Sequence, residues 1–190
     1  MRTGDVKNIK IARKYSNALI SAAVDANNVD KVRQDLIFIA ETIKTNEQLS
    51  AFLYNPVIKL EDKTDTINKL FAVHTEKISL DFIVMLIESG RLNIIEEVVN
   101  QYLYAYYKYK NIIKPVIISA VELNEEQKSR ITGKLEQKFS KTIMPEYKID
   151  SDIIGGLIVE IEDKTIDCSI KTKFDNMRKQ LTKGNSYGNN

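Results

Sequence analysis

The sequence predicts a mostly α-helical protein, in which a six-helix N-terminal bundle is followed by a small α/β domain. In residues 1–110, apolar side chains recur every three or four positions, which is the spacing of one face of an α-helix. After residue 110, short β-branched runs alternate with amphipathic segments, a pattern typical of strands packed against helices. We therefore place the two domains at 1–110 and 111–183, with a disordered polar tail at 184–190.

Six segments of the N-terminal part show the helical period. Their apolar faces begin at Ile11, Val29, Leu49, Leu60, Phe82 and Ile94. Asn46 is the expected N-cap of the third helix, because its side chain can accept a backbone N–H of the first turn. Pro56 should end that helix. A bundle follows, since each helix must bury its apolar face on the others.

The fifth and sixth helices carry their own end signals. Ser79 is the expected N-cap of the fifth helix, and Gly90 is the residue typical of a left-handed C-terminal cap. Asn93 with Glu96 is close to a capping box for the sixth.

The C-terminal part reads as strands and helices in alternation. Val116–Ile118 follows a proline and is too short for a helix, so it is predicted to be a strand. Asn124 and Gln127 form a capping box for the next helix. A second strand, 157–161, follows Gly155-Gly156. A last amphipathic helix carries Ile170, Phe174, Met177 and Leu181.

Composition excludes several classes of protein. The 190 residues carry 28 basic and 26 acidic side chains, a net charge of +2, which is too balanced for binding that rests on many phosphate contacts. One cysteine and one histidine exclude a zinc site built from several Cys or His ligands. The chain has neither a signal-peptide run nor an apolar stretch long enough to span a bilayer. We expect a protein that is soluble, or peripheral to a membrane through a partner, and that has no cofactor and no metal.

Few residues could support catalysis. His74 follows an apolar run where a helix should end, and we interpret it as a helix-end or surface histidine. Cys168 is expected to be a small half-buried thiol and not a nucleophile. Gly155-Gly156 lacks the rest of a phosphate-binding loop and indicates a bend or a close backbone contact. A small enzyme that uses His74 remains an alternative, and a turnover defect in His74→Ala would reveal it.

The segment from Tyr102 to Lys110 allows a second alternative. Its tyrosines and interleaved lysines could stack on and bind nucleic acid. Helical spacing instead turns Tyr102, Leu103 and Tyr106 inward, which favours a core face with amphipathic tyrosines. A nucleic-acid-binding adaptor would be distinguished by a steep loss of affinity with salt.

Four segments resemble, in order along the chain, the ATP synthase delta subunit family, whose mitochondrial member is the oligomycin-sensitivity-conferring protein. They are ARKYSNAL at 12–19, FLYNP at 52–56 with Lys63 downstream, the helix from Phe82 to the SGRL corner at 89–92, and IIGGLIV at 153–159 followed by IDCSI at 166–170. The resemblance covers residues 8–182. It implies structural roles for Pro56, Gly90, Gly155, Gly156, Asp167 and Ser169.

The chain departs from the family pattern at two places. Cys168 stands where the family has glycine, and Glu162-Asp163 replaces a hairpin that usually contains glycine. If the turn at Cys168 requires a positive φ, a cysteine there would be mildly strained. The tail after Thr182 has no counterpart in the family.

The resemblance implies a non-catalytic stator of an F-type ATP synthase. The delta subunit joins the catalytic head to the peripheral stalk, so that the rotation of the central shaft is coupled to proton-driven ATP synthesis. The family's partners are the N-terminal helix of the alpha subunit, held between the first and fifth helices, and the b subunits, held by the C-terminal domain. The expected location is the cytoplasmic face of a bacterial inner membrane or the stromal face of a plastid thylakoid.

Five residues are candidates for the alpha-subunit groove. Ala18 and Ala22 are small enough for another helix to approach, and Tyr15 offers an aromatic anchor with a polar tip. Phe82 and Met85 extend beyond the core stripe of the fifth helix. Tyr15, Phe82 and Met85 could equally be core residues.

Four basic residues of the last helix are weaker candidates for contact with the stalk: Lys171, Lys173, Arg178 and Lys179. The segment from Lys164 to the end of the chain contains six basic and two acidic residues. This surplus of positive charge could steer the association with an acidic end of the b subunits. A solvated helix face explains the same residues.

Overall fold

The structure, a computed structural model, describes residues 3–184 and the side chains of residues 8–182. The chain divides into two compact units, one ending at Tyr109 and the other beginning at Lys110. The predicted tail lies outside the described residues, except for Gly184, which belongs to the last helix.

The N-terminal unit is a helical bundle, as the sequence predicts. Its helices within the described residues are α1 Thr3–Asp25, α2 Val29–Thr45, α3 Glu47–Tyr54, α4 Leu60–Phe71, α5 Lys77–Glu88 and α6 Ile95–Tyr109, with a short 3-10 helix at Leu92–Ile94. The apolar stripes of these helices meet in one core. Among its most deeply buried members are Leu36, Ile39, Ile67, Phe71, Ile83, Leu86 and Val98.

Close packing in the bundle is strongest between α1 and α6. Ala12 and Ala23 on α1 are fully buried and small, so the two helix backbones can approach each other. The Ser16 hydroxyl, also fully buried, donates a hydrogen bond of 2.8 Å to the backbone oxygen of Val98 on α6. α5 packs instead on α4 and α2. As a result, α1 does not pack as closely on α5 as it does on α6.

The helix ends confirm some of the expected caps. The Asn46 side chain accepts the Leu49 N–H at 3.0 Å and begins α3. Gly90 has a φ of +65° and ends α5 in the left-handed conformation that glycine adopts without strain. Asn124 and Gln127 form the predicted reciprocal capping box at the start of α7.

The prediction of Ser79 as an N-cap was wrong. α5 begins at Lys77, and Ser79 is fully buried within its first turn. The Ser79 hydroxyl and the Glu76 N–H both donate to Oδ2 of Asp35 on α2, each at 2.8 Å. A buried carboxylate from another helix therefore accepts the hydrogen bonds at the start of α5, where the helix dipole favours negative charge.

The predicted capping box of Asn93 and Glu96 is also wrong. The 3-10 helix Leu92–Ile94 runs directly into α6, so Asn93 lies inside helical backbone and not at a cap. The Glu96 carboxylate instead lies 3.0 Å from the ammonium group of Lys44 on α2.

The C-terminal unit is a small α/β fold. Its strands are β1 Ile112–Ile113, β2 Val116–Ser119, β3 Thr142–Ile143, β4 Glu146–Ile149, β5 Leu157–Ile161 and β6 Lys164–Asp167, and its α-helices are α7 Glu125–Phe139 and α8 Ile170–Gly184. The main sheet has the order β4-β2-β5-β6, with β2 and β4 parallel and the other neighbours antiparallel. β1 and β3 form a separate parallel pair. α7 makes the crossover between parallel strands, and its Leu135 packs with Ile117 and Val159 of the sheet.

Gly156 makes the close backbone contact that the sequence indicates. Its φ is +81°, and a Cβ at this position would lie 2.3 Å from the backbone oxygen of Cys168. Only glycine fits between β5 and the start of α8 without moving one of them.

The expectations for Cys168 need correction. Its φ is not positive, so the residue is not strained. Positive φ values occur instead at Ile154, at +67°, and at Glu162 of the β5–β6 hairpin, at +51°. Cys168 is also exposed and not half-buried. The atoms of Cys168 that lie next to Gly156 belong to its backbone.

Asp167 and Ser169 hold the start of α8. The Asp167 carboxylate accepts the Ser169 N–H at 2.8 Å and the Thr172 hydroxyl at 2.7 Å, while the Ser169 hydroxyl accepts the Thr172 N–H. The backbone hydrogen bond from Ser169, followed by the hydroxyl bonds, holds the pKa of Asp167 below its usual value.

Replacing Asp35 with alanine should destabilise the bundle. The Glu76 N–H and the Ser79 hydroxyl would lose their buried acceptor, a change worth about 1–3 kcal/mol. Glu41→Ala, an exposed acid on the same helix, is the matched control and should change stability by less than about 0.5 kcal/mol. Urea unfolding of the full chain measures both variants. Equal effects would mean that the buried carboxylate does not hold α5.

Replacing Gly156 with alanine should destabilise the C-terminal unit by about 2 kcal/mol or more, because strain and overlap with Cys168 act together. Gly133→Ala, in the middle of α7 with nothing near its Cβ, should instead stabilise by about 0.5–1 kcal/mol. Hydrogen exchange of the β2 and β5 amides reports both changes. A tolerated Gly156→Ala would contradict this packing.

Candidate functional site

An open, mostly apolar groove lies between α1 and α5, with a cavity volume of about 670 Å³. All five predicted groove residues line it: Tyr15, Ala18, Ala22, Phe82 and Met85. We call this surface the α1–α5 groove. It exists because α1 is held against α6 and α5 against α2 and α4, which leaves the facing sides of α1 and α5 partly uncovered.

The walls of the groove combine exposed and buried side chains. Ala18 and Ala22 are exposed, and Met85 is 39% exposed, so all three are available to a partner. Phe82 is only 7% exposed and is mainly a core residue with one edge in the groove. The Tyr15 ring meets Phe82 edge-on, with ring centroids 6.3 Å apart. The arrangement can take up the apolar face of a helix.

Three further apolar residues line the groove and were not among the predicted set: Ile11, Leu19 and Ile78. The signal for two of them was present in the sequence. Ile11 lies four positions before Tyr15, and Ile78 lies four before Phe82, so each extends the same helical row by one turn. Leu19 is buried and belongs to both the core and the groove floor.

The rim of the groove is polar. It carries Lys14 on α1, Asp81 on α5 and Arg91 just after α5. The Arg91 guanidinium lies 5.4 Å from the centroid of the Tyr15 ring and donates a hydrogen bond to the Tyr15 hydroxyl. These two side chains join α1 to the end of α5 across one end of the groove.

A second candidate surface lies on α8. Its apolar residues Ile170, Phe174, Met177 and Leu181 are spaced by four, three and four positions and so lie on one side of the helix. They are 39%, 60%, 56% and 75% exposed, respectively. We call this row the α8 stripe. Exposed rows of large apolar side chains are typical of protein interaction sites, which makes the α8 stripe a candidate.

The four basic residues predicted to contact the stalk are all exposed on α8. Lys171 and Arg178 are one heptad apart and border the α8 stripe on one side, and Lys173 borders it on the other. Lys179 lies on the opposite face of the helix. The helix therefore brings three of the four beside the stripe.

The ATP synthase delta (OSCP) subunit family matches residues 11–181 of the chain. The chain belongs to this family. An ATP synthase subunit delta from Fusobacterium nucleatum is 34% identical over 170 residues, covering 90% of the chain and 97% of that relative. A relative from Ilyobacter tartaricus, named as a sodium-ion-specific ATP synthase subunit delta, is 33% identical over 166 residues and covers 87% of the chain and 95% of its own length.

A solved structure has the same fold. A chain of the Toxoplasma gondii mitochondrial ATP synthase hexamer superposes with a TM-score of 0.67 at 18% identity, covering 90% of this chain and 97% of that one. The resemblance read from the four sequence segments is thus confirmed. As a member of the delta family, the chain is a non-catalytic subunit of the peripheral stalk of an ATP synthase.

The alternatives find no support in this delta-family chain. Tyr102 and Tyr106 are buried, as predicted, and donate hydrogen bonds to the backbone oxygen of Val29 and the carboxylate of Asp30, so neither can stack on a base. Burial also raises the pKa of the Tyr102 phenol. His74 is exposed in the turn after α4, as expected for a surface histidine.

Within residues 3–184, no cluster of histidine, cysteine and acidic side chains has the composition of a metal site. None of the helices described combines the length and the apolar character needed to cross a membrane.

Proposed function

We propose that the N-terminal unit of this stalk subunit binds the N-terminal helix of the alpha subunit in the α1–α5 groove, and that the C-terminal unit binds the b subunits along α8. The observation that carries the proposal is the groove itself: an open apolar cavity of about 670 Å³ between two helices of one bundle. The two units then join the catalytic head to the stalk.

The shape and chemistry of the groove favour a helix as its ligand. An amphipathic helix binds by laying its apolar face into a hydrophobic groove. Exposed Ala18 and Ala22 allow a second backbone to come close, and flexible Met85 can repack around the side chains it meets. Because the bundle core is already filled, the ligand can bind without opening it.

The α8 stripe favours a long helix as the second partner. Apolar residues at alternating four- and three-residue intervals form the seam of a coiled coil, which packs knobs into holes against another helix. Lys171, Lys173 and Arg178 border the seam, in the position where coiled coils place the charges that select a partner. An acidic helical end of the b subunits would meet both requirements.

A subunit that grips both partners works as a stator. The catalytic head would turn with the central shaft unless something attached to the membrane resisted the rotation. The subunit supplies binding and stiffness, and it does not touch ATP or the transported ion. We place it on the cytoplasmic face of a bacterial inner membrane or the stromal face of a plastid thylakoid, in a complex that synthesises ATP with a proton gradient.

Filling the groove should block the alpha subunit. Ala18→Leu and Ala22→Leu each add a side chain where the ligand helix approaches, and the affinity for a synthetic peptide of the alpha N-terminus should fall about tenfold or more. Met85→Ala should weaken binding less. Asn17→Leu, which adds the same side chain to an exposed position outside the groove, is the control and should bind normally. Calorimetry with the full chain measures all four variants. Normal binding by both Ala18→Leu and Ala22→Leu would show that the peptide does not bind in the α1–α5 groove.

Disrupting the α8 stripe should release the stalk. Phe174→Ser and Leu181→Ser should weaken binding to the purified soluble part of the b subunits about tenfold or more at any salt concentration, since both side chains are more than half exposed and their change leaves the core intact. Lys171→Ala with Arg178→Ala should slow association and reduce its salt dependence. Lys179→Ala, on the opposite face, should do neither. If association of the unaltered chain with the b subunits did not depend on salt, the proposed electrostatic role of Lys171 and Arg178 would be wrong.

A further inference from the structure

We infer that the α1–α5 groove selects a helix that carries one carboxylate beside its apolar stripe, and that Arg91 receives this carboxylate. The inference rests on the proposed function, in which a helix of the alpha subunit occupies the groove. It assigns a specificity-determining residue that contacts the partner by charge, whereas the other contacts of the groove are mainly apolar.

The backbone fixes Arg91 at one end of the groove. The Arg91 N–H donates to the Leu86 oxygen at 2.8 Å, and the Gly90 N–H donates to the Ile87 oxygen at 2.9 Å. With Gly90 in the left-handed conformation, these two bonds form a Schellman motif, which closes the C-terminus of α5. The position from which the Arg91 side chain starts is therefore set by the end of α5.

The Arg91 side chain is oriented by α1. Its guanidinium lies over the Tyr15 ring, 5.4 Å from the centroid, and donates to the Tyr15 hydroxyl. Stacking on an aromatic ring and donating from a planar fork are the two contacts for which arginine is better suited than lysine. A cation held in this way loses little conformational freedom when it binds a ligand.

The guanidinium keeps donors for a ligand. It has five N–H donors, and one of them is used on Tyr15. Asp81 also lines the groove, and among the ion pairs of the described side chains none joins it to Arg91. Lys14 adds a second positive charge to the same rim. The charged side chains that line the groove are thus two bases, Arg91 and Lys14, and one acid, Asp81.

Occupation of the groove changes the solvation of this charge. A helix lying over Tyr15 and Phe82 removes water from the adjacent guanidinium, and an ion that loses water without gaining a partner is destabilised. A carboxylate on the incoming helix removes this penalty and can bind both prongs of the guanidinium. A helix with a neutral or basic side chain at that position is rejected, which gives the groove selectivity as well as affinity.

A double-mutant cycle tests the inference. The probe is a synthetic peptide of the first 25 or so residues of the alpha subunit encoded in the same genome, together with variants in which each Asp or Glu is replaced singly by Asn or Gln. One of these replacements should weaken binding to the unaltered chain about tenfold or more, as expected for a charge-assisted bond. With Arg91→Gln, the same replacement should change the affinity by less than about twofold.

Two further variants control for fold and for general charge. Arg91→Lys keeps the charge and loses the planar fork, so it should recover part but not all of the coupling. Lys14→Gln removes the other basic charge of the rim and should leave the coupling intact. Thermal unfolding of each variant confirms that the bundle is intact.

The outcomes separate this inference from the proposed function. If Ala22→Leu does not affect peptide binding, the groove is not the site, and both proposals fail. If binding depends on the groove but no acidic position of the peptide couples to Arg91, the assignment of Arg91 fails and the groove stands. Coupling to Lys14 in place of Arg91 would also overturn the assignment.

Discussion

The close packing of α1 on α6 determines what the rest of the bundle can do. Small residues of α1 and the buried hydrogen bond from Ser16 to the Val98 oxygen hold these two helices together. α5 is held from the other side, where the Asp35 carboxylate of α2 satisfies its first turn. Since α1 and α5 are anchored to different neighbours, their facing sides stay partly uncovered, and the groove between them is a consequence of the core.

A stator needs this kind of construction. Its task is to transmit a mechanical load between two partners, so each binding surface must rest on elements that do not move when the partner is pulled. The walls of the α1–α5 groove are two helices whose core-facing sides are buried in the bundle. The α8 stripe is on a helix whose start is tied to the sheet, where the Ile170 N–H donates to the Gly155 oxygen at 2.9 Å and Asp167 and Ser169 close the first turn.

Much of the fold could be predicted because its signals are local. The helical period, the cap at Asn46 and the box of Asn124 and Gln127 depend on residues within a few positions of each other, and the structure bears them out. The groove residues on α1 and α5 could also be predicted, since helical spacing identifies apolar rows beyond the core stripe.

The errors arose where a distant partner decides the structure. Ser79 is a residue type typical of N-caps, but its buried hydroxyl donates a hydrogen bond to the Asp35 carboxylate, 44 residues away. Asn93 and Glu96 have the right spacing for a capping box, but Asn93 lies within the 3-10 helix that leads directly into α6. Cys168 does not have the positive φ that would strain it, whereas Glu162 in the hairpin does have a positive φ. Arg91 contacts Tyr15, 76 residues away, and no local pattern reports that contact.

The central claim is that a helix from the catalytic head fills the space between α1 and α5. Nuclear magnetic resonance of the isotopically labelled full chain, titrated with the alpha N-terminal peptide, tests it residue by residue. We predict the largest shifts at the amides and methyl groups of Ile11, Ala18, Ala22, Ile78 and Met85, with little change in the sheet of the C-terminal unit. Shifts concentrated on α2, α4 or α8, with α1 and α5 unaffected, would contradict it.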